Sequence, residues 1–160
     1  MSDFAVSYAI SRGRFEESLA GIGQEGLNYR LHEGAATIGE MALHVAGVEV
    51  SFISQLTGCD LDELSQKLKA SATDGIVNEL PFPFAPSEIT PELVSKALAI
   101  GRGMVEPHIN ELTPELRQKE LKSALGPMIT GEGAFARLAF HPGYHQGQVY
   151  LIATSPNFPR

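Results

Sequence analysis

In this 160-residue chain, the spacing best suited to chemistry belongs to His141 and His145, four residues apart. On a helix such a pair projects from one face, so two imidazoles can hold one cation. A third imidazole from a neighbouring helix would complete a three-histidine set, and His44 is the candidate to supply it. The set leaves coordination positions open, so a bound metal could act as a Lewis acid or lower the pKa of bound water to about 7. Each residue also has a plainer reading. His44 borders the apolar seam of Met41 and Val48, where a lone histidine is ordinarily a satisfied core residue, and histidine pairs at this spacing also occur on exposed faces. The pair shares its face with Leu138 and Ile152, however, and two imidazoles turned toward a core require partners or a metal. His32, in a glycine-bracketed loop, and His108, after Pro107, read as bystanders.

Other chemistries lack their groups. No His-Glu-x-x-His occurs, so a helical zinc protease would have no base, and no Glu-x-x-His occurs, which removes a di-iron carboxylate bundle. Gly21-Ile22-Gly23-Gln24-Glu25-Gly26 matches a dinucleotide fingerprint by letter but follows a helical pattern instead of a strand. Cys59 lies before Asp60 with no base in view and reads as structural. Around the histidines, Gln148 is three residues after His145 and is placed to hold a metal-bound water. Tyr144 is about 100° off the pair and reads as packing between helices. Glu40, one turn before His44, reads as a cap, and Glu49, about 140° around from His44, as solvent-exposed.

Four helical segments position these residues. The first covers 3–19, with Phe4, Tyr8, Phe15 and Leu19 on one face and Arg12, Arg14 and Glu16 free for solvent. The second opens with the capping box Thr37-Ile38-Gly39-Glu40, carries Met41, Val45, Val48 and Phe52, and stops near Gly58. Asp60-Leu61-Asp62-Glu63 reads as a second capping box starting a short helix to about 70. A turn-rich crossover follows over 71–89, with the phenylalanines of Pro81-Phe82-Pro83-Phe84 packing it down. The third helix begins at Thr90-Pro91 and bends at Pro107. Breaks fall at Thr113-Pro114 and Gly126-Pro127. The last helix covers 130–153 and carries the histidine pair, with Pro142 between its members predicting a kink. No repeat is visible, so the expectation is one all-α domain over 1–160.

Twelve Lys and Arg stand against 19 Asp and Glu, for a net charge of -7. The basic residues are scattered, which argues against nucleic-acid and anionic-membrane partners. No apolar run is long enough for a signal or a membrane span, and the single Cys fits a reducing compartment, so the expected location is cytoplasmic.

The segments Thr37-Ile38-Gly39-Glu40-Met41-Ala42-Leu43-His44 and His141-Pro142-Gly143-Tyr144-His145-Gln146-Gly147-Gln148 resemble the DinB/YfiT family of four-helix-bundle metalloproteins. The resemblance extends over nearly the whole chain and implies an all-α four-helix bundle with a long crossover between helices 2 and 3, here 58–90. It implies a divalent metal, zinc or nickel, on His44, His141 and His145. It also implies a metal-dependent enzyme acting on a small molecule, as a thiol-dependent S-transferase using a low-molecular-weight thiol or as a hydrolase. A metal deprotonates a coordinated thiol, which gives the first of these a physical basis. The alternative is a non-catalytic, stress-associated bundle with a structural or vestigial metal site. A homodimer is expected from the family's habit and from the apolar 81–86 segment.

Overall fold

A computed structural model describes residues 2 and 4–159 of the chain. In order these form α1 (Ala5–Leu19), α2 (Gln24–Asn28), α3 (Ile38–Thr57), α4 (Glu63–Ser71), α5 (Pro91–Asn110), α6 (Pro114–Gln118), β1 (Glu120–Lys122), β2 (Met128–Thr130) and α7 (Gly131–Ala153). The protein is mostly helical, as expected of an all-α chain. No helix among the described residues is long and apolar enough to cross a membrane.

Threonines start four of the helices. Thr37 Oγ1 accepts from Glu40 N at 3.1 Å while Glu40 Oε2 accepts from Thr37 N at 2.7 Å, the reciprocal box expected from the sequence. Thr90, Thr113 and Thr130 cap α5, α6 and α7 through the backbone N–H of Leu93, Leu116 and Gly133. Each cap satisfies a donor that has no partner within the helix and contributes about 1 kcal/mol. At α4 the expected box does not form. Asp62 takes the N-cap place, its Oδ1 accepting from Ser65 N at 2.7 Å, so the helix starts at Glu63.

The four long helices α1, α3, α5 and α7 bury their apolar faces together, α1 against α7 and α3 against both α5 and α7, with α4 lying along α3. Phe15, Leu27, Leu43, Val45 and Ile89 fill one part of the core, and Phe52, Ile53, Phe135 and Leu138 another. Side chains of this size each contribute about 1.5–3 kcal/mol on full burial. The crossover is packed down as anticipated, with Phe84 in the core and Phe82 against it. Pro81, Ala85 and Pro86 of the same segment remain exposed.

Several details differ from the sequence reading. The glycine-rich stretch after α1 contains the one-turn helix α2, and the break at Gly126-Pro127 is the turn of a short antiparallel hairpin that pairs Leu121 with Ile129. The first helix starts at Ala5, and Asp3, where it was expected to start, lies outside the described residues. α5 ends at Asn110, and Pro142 lies within a continuous α7. The largest departure concerns charge. Arg12 is 0% exposed and Glu49 1%, although both were expected in solvent. Arg12 Nε donates to Glu49 Oε1 at 2.8 Å, so each charge is neutralised by a partner 37 positions away, which helical periodicity does not register.

Candidate metal centre

Helix α3 delivers His44 and α7 delivers His141 and His145 to one point. One ring nitrogen from each of the three lies within 4.8 Å of the others, and His141 Nε2 is 3.1 Å from His145 Nε2. The rings meet edge to face, His44 being 5.0 Å from His141 and 5.1 Å from His145 between centroids. Nitrogens bound to one zinc ion at about 2.1 Å stand roughly 3.4 Å apart in a tetrahedral set, so closing this set needs side-chain adjustment only. Pro142 between the paired histidines does not separate them.

Two carbonyl oxygens fix the orientation of the rings. The Ser71 backbone oxygen accepts from His44 Nδ1 at 3.0 Å, and Gln148 Oε1 accepts from His145 Nδ1 at 2.6 Å. A carbonyl can only accept, so Nδ1 carries the proton in both rings and the Nε2 lone pairs remain for a cation. Such outer contacts orient metal-binding imidazoles and raise their basicity. Gln148 therefore serves the ring of His145, a contact different from the water-positioning role expected of it. Ser71 was not foreseen. Its carbonyl reaches His44 because α4 ends directly against α3 at Gly47, where a Cβ would run into Leu68 O and Ser71 Oγ. A glycine in the middle of an apolar helix was the available signal for that close approach.

Burial is the main force on all three rings. It lowers the pKa of His44, lowers that of His141 well below the usual histidine value with help from the other two rings, and lowers His145 to about 4. All three are neutral at pH 7, which is the form that binds a metal. The cluster forms part of the wall of a cavity of about 850 Å³, within the range of small-molecule sites. Buried Met41, Val48, Phe52 and Ile152 line it along with the histidines, as do the exposed Leu31, Val77, Phe140 and Leu151.

His108 on α5 lies outside the cluster. His32 stands on the cavity wall, with Nδ1 donating to Glu33 O at 2.8 Å, and is also outside the cluster. Tyr144 is 58% exposed and sets its ring edge-on to His145 at 5.1 Å, in contrast to the inter-helix packing expected of it. Glu40 is committed to its cap and to an ion pair with Arg30 at 2.7 Å. Cys59 is exposed.

No family model matches this chain, and no curated protein matches it. Among solved structures it is similar to one titled as the conserved protein of locus from Enterococcus faecalis, with a TM-score of 0.69 and 19% identity over 95% of both chains. At that identity the likeness shows a shared fold.

Proposed function

We propose that this protein is a divalent-metal-binding four-helix bundle of the DinB/YfiT type, with His44, His141 and His145 as ligands of zinc or nickel, and that it works as a metal-dependent enzyme on a small molecule. The observation that carries this reading is three neutral imidazoles, two with their second nitrogen tied to a carbonyl, gathered on the wall of a large open cavity. The mostly helical fold and the packing of four long helices support the family.

A cation bound there would supply Lewis acidity and favour the thiolate form of a coordinated thiol. The chain's own residues do the rest. Ser71 O and Gln148 Oε1 hold His44 and His145 in the tautomer that presents Nε2 to the cluster. Met41, Val48, Phe52 and Ile152 give the same cavity an apolar lining. The open side admits a substrate, whose class of reaction is thiol-dependent transfer or hydrolysis.

Metal analysis of protein purified without chelator and supplied with zinc or nickel tests the reading. About one ion per chain is expected, with clear loss in His44→Ala, His141→Ala and His145→Ala. An ion-free wild type, or three variants that bind as well as wild type, would sink it. Chelation separates the catalytic reading from the structural one. A catalytic site loses activity with little loss of stability, whereas a structural site loses the fold.

A further inference from the structure

Among the described residues, Arg137 is the one formally charged residue lining the cavity that holds the histidines. In a chain of net charge -7, no described Asp or Glu lines this space. Most other arginines of this protein meet a carboxylate: Arg12, Arg30, Arg102 and Arg117 each do so at 2.7–2.8 Å. Arg137 has no acidic partner among the described residues. It is half-buried, and Nη1 donates to the hydroxyl of buried Ser123 in the turn between β1 and β2. That contact ties one arm of the guanidinium to the hairpin and leaves the remaining donors for a ligand.

The placement has a direction. Arg137 precedes His141 by four residues on α7, so the two side chains share a face about 6 Å apart at Cβ. The space around them is apolar. Leu31, Val77, Leu125, Phe140 and Leu151 are all large side chains left exposed along it. An apolar cavity with a few convergent polar groups is the pattern of a small-molecule site. A single guanidinium matches a carboxylate through two parallel N–H···O bonds, whereas a phosphate dianion calls for more charge than this wall offers. The acid-free lining also favours an anion over a cation in a protein that repels anions elsewhere.

We infer that the cavity takes an apolar carboxylic acid, with its carboxylate on Arg137, its hydrocarbon or aromatic body against the exposed leucines and Phe140, and its reacting end toward the histidine cluster. The last element rests on the metal-site reading above; the carboxylate subsite stands without it. Arg137 is a binding residue in this arrangement, and Ser123 positions it.

Calorimetric titration with trans-cinnamate and with the neutral isostere cinnamamide tests the inference, on zinc-loaded and on chelator-treated protein. Cinnamate is expected to bind at least about tenfold more tightly than the amide in both forms, the scale of one charge-assisted bidentate contact. Arg137→Gln should erase that preference while still binding zinc, and Arg137→Lys should keep part of it. Equal binding of acid and amide, no binding of cinnamate, or a preference that survives Arg137→Gln would overturn the inference. A preference seen only with zinc present would also overturn it, because the carboxylate would then be on the metal. If zinc fails to bind and the preference persists in metal-free protein, the metal reading falls and the Arg137 subsite stands. The acid–amide comparison needs no variant, so it holds should Arg137→Gln fail to fold.

Discussion

The Arg12–Glu49 group and the histidine cluster are both buried polar groups, and they differ in whether their hydrogen bonds close among themselves. In the first, Arg12 Nε reaches Glu49 Oε1 at 2.8 Å, Nη1 reaches Glu16 Oε1 at 2.8 Å and Nη2 reaches Leu98 O at 2.7 Å, while the Tyr8 hydroxyl donates to Glu49 Oε1 at 2.8 Å. Arg102 Nη2 meets Glu16 Oε2 at 2.8 Å, so two guanidiniums face two carboxylates, and Gly101 lets α5 pass so near that a Cβ there would strike the Glu49 carboxylate. The group joins α1, α3 and α5. In the second, three imidazoles bring ring nitrogens together at the wall of a cavity, and two of them are braced by carbonyl oxygens. Buried polar groups that satisfy one another hold a fold together; buried polar groups held in place yet incompletely satisfied are prepared for something else.

The sharpest break of that contrast comes from removing one member of the closed group. Arg12→Ala or Glu49→Ala strands a buried charge and should cost about 3–5 kcal/mol of stability, read by urea denaturation, with zinc stoichiometry unchanged. Replacing both by apolar residues, Arg12→Met with Glu49→Leu, should recover most of the loss. If either single variant lowers zinc uptake while remaining folded, the two groups are not independent.

Acid acts on the open group. Each ring has a pKa below the free value of 6.5, His145 at about 4. The stability their depressed pKa values contribute is therefore present above pH 6.5 and is lost as the pH falls through about 4. Metal-free protein should show a falling urea midpoint across that window, and the His141→Ala and His145→Ala double variant a shallower fall. A wild-type midpoint flat from pH 7 to 4 would contradict the burial described.

Smaller effects sharpen the role of the braces. Gly47→Ala must push α4 away from α3 and should cost about 1–3 kcal/mol. It should also weaken zinc binding, measured by competition with a chromophoric chelator; destabilisation with unchanged zinc affinity would release Ser71 O from its orienting role. Gln148→Ala should lower zinc affinity about 10- to 100-fold and leave the thermal midpoint of metal-free protein where it is. A midpoint shift without an affinity change would make Gln148 a packing residue.

The parts of this site that were legible in the sequence are those governed by short-range geometry. Thr37 and Glu40 cap α3 as their spacing requires, and the register of α7 brings His141 and His145 onto one face. The illegible parts depend on contacts between distant segments. Ser71 contributes a main-chain oxygen, which has no side-chain signature, and the bond spans 27 positions. Arg12 and Glu49 look like surface residues on separate helices until the bundle brings their side chains together in its interior. The hairpin that anchors Arg137 consists of strands of three residues each, too short for alternation to show. Tyr144 is exposed for a related reason: an angle around one helix does not say whether a neighbouring helix covers that face.

The brace on His44 is a carbonyl of the long connection between α3 and α5, at the point where α4 ends. Because it belongs to the main chain, exchanging the Ser71 side chain does not delete it, and its position is set by how the whole connection lies on α3. Were the rings to hold an ion, its occupancy and the seating of that connection would be two readings of a single equilibrium. A cation gripped by the three rings would tighten a segment it never touches, and loosening the segment would release the cation by the same amount of free energy.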